Sequence, residues 1–222
     1  MDDDGVPVED LMKLKLIVVG NQGTGKTCIL NRFVNETFEE NYQATIGLDF
    51  QSKNITIHDQ DVRLILYDTA GQEKFRSLIP MYIREAQIIL LIYDISDRES
   101  FDSMPKWLTE VMDVKNSESV FALIGNKIDL ENERKITKEQ GEKFCKENNI
   151  NEFMESSAKT GVNAQNIFIK AAQTLYEDYI KYQQKAEQSG GNVDNTNMNY
   201  GQVQDNRKKI DNKPKKKQGG CC

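Results

Sequence analysis

Runs rich in apolar residues recur along the chain with helical patterns between them: LKLIVVG at 14–20, RLILYD at 63–68, IILLIYD at 88–94, VFALIGN at 120–126 and NEFMESS at 151–157. These runs are continuous, not alternating, and rich in strand-forming residues, which fits strands buried on both faces of a parallel sheet. Strands that alternate with helices predict an α/β domain. One segment differs: Ile55–Ile57, the polar HDQD at 58–61, and a second extended run from Val62 predict a hairpin, hence one antiparallel edge strand. Helical periodicity is clearest over 98–115, 137–148 and 163–187. In the last, Ile167, Phe168, Ala171, Ala172, Leu175 and Tyr179 share one apolar face.

Beyond that helix the pattern stops. QSGGNVDNTNMNYGQ and the lysines that follow hold too little apolar surface to offset ordering, so 188–222 is expected to be a disordered tail, 12–187 the folded domain and 1–11 an acidic N-terminal extension. There is no internal repeat. The hydrophobic content, 38%, suits one core with a polar appendage. Charge is unevenly placed. From Gln188 on, seven basic residues face three acidic ones, a net +4, so the total of −6 leaves −10 on residues 1–187. An acidic body argues against nucleic acid as a partner, while a basic tail suits an acidic surface. Cys28, Cys145, Cys221 and Cys222 form neither a disulfide framework nor a Cys-x-x-Cys metal pattern, which points to a reducing compartment. MDDDGVPVED is not a secretory signal, Asp2 excludes N-myristoylation, and the longest apolar stretch, 88–93, is too short to span a bilayer.

Candidate chemistry begins after the first strand, where GNQGTGKT (Gly20–Thr27) opens a helix and reads G-x-x-x-x-G-K-[ST]. Its glycines allow backbone N–H groups to wrap phosphates and the helix N-terminus adds a favourable dipole. Lys26 can bridge phosphates and Thr27 can ligate Mg²⁺. A glycine turn with an incidental lysine is the plain alternative, and the loop alone does not choose ATP or GTP. NKID (Asn126–Asp129) follows a buried strand, where open α/β sheets place their ligands. There Asp129 can accept from the N1–H and 2-amino groups of guanine, donors that adenine lacks. An isolated NKxD can also be a helix N-cap aspartate after a strand, but SSAK at 156–159 after the next strand weakens that reading. In DTAGQ (68–72), Asp68 can hold Mg²⁺ through water, Gly71 can offer an N–H to a terminal phosphate, and Gln72 can orient an attacking water.

Phosphate loop, DTAGQ and guanine motif, in this order and spacing, resemble the Ras superfamily of small GTPases over about 12–182. TIGLDF (45–50), DTAGQEKF (68–75) and the Cys-Cys pair resemble its Rab family, and RSLIPMYIREA (76–86) resembles the branch working at the Golgi. The resemblance implies a P-loop NTPase G domain, a mostly parallel six-stranded sheet with helices on both faces, acting as a GTP-hydrolysing switch in vesicle trafficking. By matching motif it implies nucleotide contacts from Gly20, Gln22, Gly23, Thr24, Gly25, Lys26, Thr27 and Cys28. Phe38 is implied against the base, with Asn126, Lys127, Asp129, Ser157, Ala158 and Lys159 around guanine. Mg²⁺ is implied on Thr27, Thr45 and Asp68, catalysis on Lys26, Thr45, Gly71 and Gln72, and effector contacts on Ile46, Phe50, Tyr67 and Tyr82.

The same resemblance implies geranylgeranylation of Cys221 and Cys222, a prenylation escort, a GDP-dissociation inhibitor, an exchange factor, an activating protein and effectors. It places the chain on the cytoplasmic face of intracellular membranes, Golgi foremost, with a carrier-bound cytosolic pool. Two positions depart from the relatives: Gln22 stands where Ras proper has glycine, and Tyr67 replaces a tryptophan. Cys28 reads as a small helix residue, Trp107 as core, and His58 at the hairpin turn has no catalytic role. Against the switch stand a constitutively GTP-bound recruitment module, which Gln22 permits and Gln72 opposes, and a P-loop kinase, which NKID disfavours.

Overall fold

A computed structural model describes residues 11–40, 48–69, 79–115 and 119–188. Its six strands are β1 (Met12–Val19), β2 (Leu48–Ile57), β3 (Gln60–Thr69), β4 (Ile88–Asp94), β5 (Val120–Asn126) and β6 (Glu152–Glu155), ordered β2-β3-β1-β4-β5-β6. All neighbours are parallel except β2 and β3. The expected α/β sheet with one antiparallel edge strand is therefore present.

The continuous apolar runs have a direct cause. Leu14, Leu16 and Val18 of β1 and Leu90 and Ile92 of β4 face one core, closed by α1 (Lys26–Asn35) and α6 (Asn166–Gln188). Ile17, Val19, Ile89, Leu91 and Tyr93, one step out of phase, face a second core. That side is covered by α2 (Ile79–Glu85), α4 (Met104–Val114) and α5 (Lys138–Glu147), with α3 (Arg98–Asp102) against β4. Successive side chains point to opposite faces, so a strand buried on both must be apolar throughout.

Two details differ from the sequence pattern. The hairpin turn is two residues, not four: Ile57 pairs with Gln60, and His58 and Asp59 both take positive φ, 47° and 62°. A left-handed pair matches the strand twist, and β2 runs over ten residues where periodicity located three. The expected helix over 98–115 breaks at Ser103 into α3 and α4, with Pro105 in the first turn of the second. Proline is suited to a first turn and not to a helix interior.

Candidate nucleotide site

The parallel strands end on one edge of the sheet, and the motif residues follow those ends. Gly20 leaves β1 with φ 146°, and a Cβ there would stand 2.1 Å from the Ile92 carbonyl oxygen of β4. Only glycine allows this approach. The loop then turns through Gly23 and Gly25, at φ 79° and 89°, and α1 starts at Lys26 without a side-chain cap. The uncapped N–H groups and the helix dipole favour an anion here. Gln22 and Gly23 are exposed; Thr24 is buried and donates its hydroxyl to the Asn21 carbonyl at 3.0 Å. Lys26 is 5% exposed, and its Nζ donates to the carbonyls of Gly20 (3.0 Å) and Asn21 (2.8 Å). Burial pushes its pKa down to about 8, opposed by the nearby Asp68 charge.

Asp68, near the end of β3, is 2% exposed. Its Oδ2 accepts from Thr27 Oγ1 at 2.6 Å, while its Oδ1 is buried with no hydrogen-bond partner. Burial raises its pKa to about 6, against the opposing Thr27 bond and Lys26 charge. An orphaned carboxylate oxygen beside a hydroxyl is the hard oxygen donor set that Mg²⁺ prefers. No cluster of three His, Cys, Asp or Glu exists among the described residues, so a cation here would draw its other ligands from phosphate and water. Thr45, Ile46, Gly71 and Gln72 lie outside the described residues, as do Cys221 and Cys222.

A pocket of about 230 Å³ adjoins the loop. Gly23, Gly25 and Cys28 form one wall, Phe38, Glu39 and Glu40 another, and Asn126, Lys127, Asp129, Ala158 and Lys159 the rest. Phe38 also packs on the first core, and Cys28 is half-buried there, its thiol pKa raised by burial. Asn126 is 1% exposed and acts as a clamp: Nδ2 donates to the Thr24 carbonyl at 2.8 Å, and Oδ1 accepts from Ala158 N and Ser156 Oγ, each at 3.4 Å. Lys127 takes φ 68°, with its Nζ 2.6 Å from Asp94 Oδ2. Ser157 does not line the pocket; it is fully buried, and its hydroxyl donates to Asp129 Oδ1 at 2.5 Å.

Several supports carry no motif signal. Arg32 of α1 donates to the carbonyls of Ala158 (2.9 Å) and Lys159 (2.9 Å), tying α1 to the SSAK loop. Arg134 joins Glu131, two residues after Asp129, to Glu155, two before Ser157. Lys159 pairs with Glu40 at 2.9 Å across the pocket mouth. Away from the pocket, Phe50 of β2 pairs in register with Tyr67 of β3, which lies 5.0 Å from the Tyr82 ring. Phe50 is 72% exposed and Tyr67 only 8%, so of the paired rings Phe50 is the one available to solvent, with Tyr82 half-buried beside them. Trp107 is buried, as its helical pattern predicts, but its indole N–H reaches the phosphate loop, donating to Asn21 Oδ1 at 2.8 Å.

Sheet, loop and pocket define an α/β nucleotide-binding G domain. Residues 15–177 match the Ras family, and the chain belongs to it. It is therefore a Ras-superfamily small GTPase, from a family whose members bind GTP and GDP, generally with Mg²⁺, generally hydrolyse GTP, and work with regulators and effectors. No helix among the described residues is long and apolar enough to cross a membrane.

Proposed function

We propose that this chain is a Rab-type switch that hydrolyses GTP to GDP and phosphate and directs vesicle traffic at the cytoplasmic face of Golgi membranes. The observation that carries the nucleotide reading is the convergence of Lys26, the Thr27–Asp68 pair and Asp129 on one edge of the sheet. In this reading Lys26 and the N–H groups of Gly20–Cys28 hold the phosphates, and Phe38 packs on the base. Asp129 reads the guanine edge, Ser157 orients Asp129, and Ala158 and Lys159 complete the wall. Thr27, Thr45 and Asp68 would hold Mg²⁺, which when bound neutralises phosphate charge. Gly71 meets the terminal phosphate and Gln72 orients the water.

The Rab assignment is supported by TIGLDF, DTAGQEKF and the exposed Phe50 beside Tyr67 and Tyr82, a surface suited to effectors. The Golgi assignment is supported by RSLIPMYIREA. Geranylgeranyl chains on Cys221 and Cys222, with the lysines beside them, would anchor the domain through the tail 188–222. An escort enzyme is then needed for attachment and a GDP-dissociation inhibitor for retrieval. Single-turnover hydrolysis, with and without an activating protein, separates this switch from a constitutively GTP-bound recruitment module. A tagged chain that never meets Golgi membranes would overturn the location.

A further inference from the structure

The phosphate loop is fastened to the second core through a position its motif leaves open. Asn21 is the residue after Gly20, and both ends of its side-chain amide are engaged by the start of α4. Oδ1 accepts from Trp107 Nε1 at 2.8 Å, and Nδ2 donates to Ser103 Oγ at 3.0 Å. Ser103 in turn donates to the Glu99 carbonyl at 2.8 Å, so its hydroxyl has a fixed direction. Trp107 is 2% exposed and packed in the second core. The backbone of Asn21 meets the loop's lysine: its carbonyl accepts from Lys26 Nζ at 2.8 Å, and from Thr24 Oγ1 at 3.0 Å.

We propose that Asn21 is a positioning residue for Lys26, held in place by Trp107 and Ser103. A leucine at 21 would take away the acceptor of the indole N–H and the amide donor to Ser103 Oγ, and loosen the carbonyl that locates the ammonium. An aspartate would keep the acceptor for Trp107 Nε1 and lose only the donor to Ser103, whose one proton already goes to the Glu99 carbonyl. Preorganising a charged group before its ligand arrives lowers the ordering cost of binding. The inference rests on the proposed role of Lys26 at the phosphates.

The test is the rate of radiolabelled GDP release from the full chain. Loss of a buried bond with its partner left unsatisfied predicts release about tenfold faster in Asn21→Leu, and severalfold faster in Trp107→Phe, which keeps a ring in the core. Asn21→Asp, which keeps the acceptor for Trp107 Nε1, should release GDP more slowly than Asn21→Leu. The double variant Asn21→Leu/Trp107→Phe should be no faster than Asn21→Leu alone, because both act on one contact. Trp107 is the only tryptophan, so its emission should respond to GDP added to nucleotide-stripped protein, and that response should vanish in Asn21→Leu. An unchanged release rate in Asn21→Leu, or additive effects in the double variant, overturns the proposal. If Asn21→Leu does not fold, Trp107→Phe decides by the same release rate. Full GDP affinity in Lys26→Ala would instead sink the phosphate role of Lys26 itself.

Discussion

Ser157 Oγ donates to Asp129 Oδ1 over 2.5 Å, so a fully buried hydroxyl in the SSAK loop fixes one oxygen of a pocket-lining carboxylate in the NKID loop. The other oxygen is left for a ligand. In Asp129→Asn the new amide oxygen can still accept from Ser157, which keeps the loops together, while the new NH₂ opposes the donors of guanine. GTP affinity should fall about tenfold to hundredfold, and xanthosine triphosphate, with an oxo group in place of the 2-amine, should gain. Competition binding of the two nucleotides measures both, and unreduced GTP affinity would remove Asp129 from base reading.

Gln72→Leu separates binding from chemistry. The substitution removes the amide proposed to orient the water and leaves the residues of the phosphate loop and base pocket unchanged, so intrinsic single-turnover hydrolysis should slow while GTP binding persists. An unchanged intrinsic rate counts against the role of Gln72. If the chain is of the Rab type proposed above, the resemblance implies that its activating protein can supply an arginine and its own glutamine; arginine fingers add on the order of 10³–10⁵ in rate. Stimulated hydrolysis can therefore survive the change.

The sheet was legible because a strand buried on both faces must be apolar along its length, as 88–93 and 120–124 are, with polar residues only where the strands end at the site. β2 was legible only at its last residues, since Gln51, Lys53 and Ile55 are merely half-buried and the strand alternates with exposed positions. The phosphate loop and guanine motifs were legible because close backbone approach and base edges demand particular residue types at fixed spacing. Arg32, Asp94 and Arg134 were not. Each bridges to a residue of another loop or element, Ala158 for Arg32, Lys127 for Asp94 and Glu155 for Arg134, and an arginine on a half-buried helix reads the same whether or not a carbonyl waits across the fold. Trp107 was placed correctly in the core, but its bond to Asn21 depends on where α4 begins, and periodicity missed the break at Ser103.

Lys115 follows α4 and donates its Nζ to the carbonyls of Arg84 (3.1 Å) and Ala86 at the end of α2. Burial lowers its pKa to about 8, below the ordinary 10.5. Between those values the unfolded chain binds the proton more tightly than the folded one, so the contribution of Lys115 to stability rises with pH across that window. Below about pH 8 the folded state bears the cost of the buried charge. The stability of the native chain relative to Lys115→Met should therefore grow from pH 7.5 to 10, read by denaturant melts. A flat or falling difference would refute this, since a neutral amine can still donate to both carbonyls.

Cys221 and Cys222 are tested together. One lipid chain gives marginal anchoring at about 0.8 kcal/mol per buried CH₂, two chains hold firmly, and each nearby lysine adds about 1 kcal/mol at an anionic surface. Changing both to serine should leave GTP binding and hydrolysis intact and move the protein to the cytosolic fraction. A double variant that still pellets with membranes contradicts the proposed anchor.

Gly23 and Gly25 both take positive φ, yet substitution should separate them. At Gly23 an added Cβ meets nothing within 4 Å, so Gly23→Ala incurs only backbone strain of about 1 kcal/mol. At Gly25 the same atom would stand 2.4 Å from Asn126 Nδ2. A surface side chain would swing aside, but Asn126 is buried, donating to the Thr24 carbonyl at 2.8 Å and accepting from Ala158 N at 3.4 Å. Moving it breaks the link between the phosphate loop and both guanine loops and leaves buried polar groups unpaired. Strain and lost pairing together put Gly25→Ala at about 3 kcal/mol or more. Denaturant melts and GDP affinity on the two single variants give the comparison. Gly25→Ala should lose both stability and GDP while Gly23→Ala loses little stability, and equal losses at the two sites would show that Asn126 is not the clamp its bonds describe.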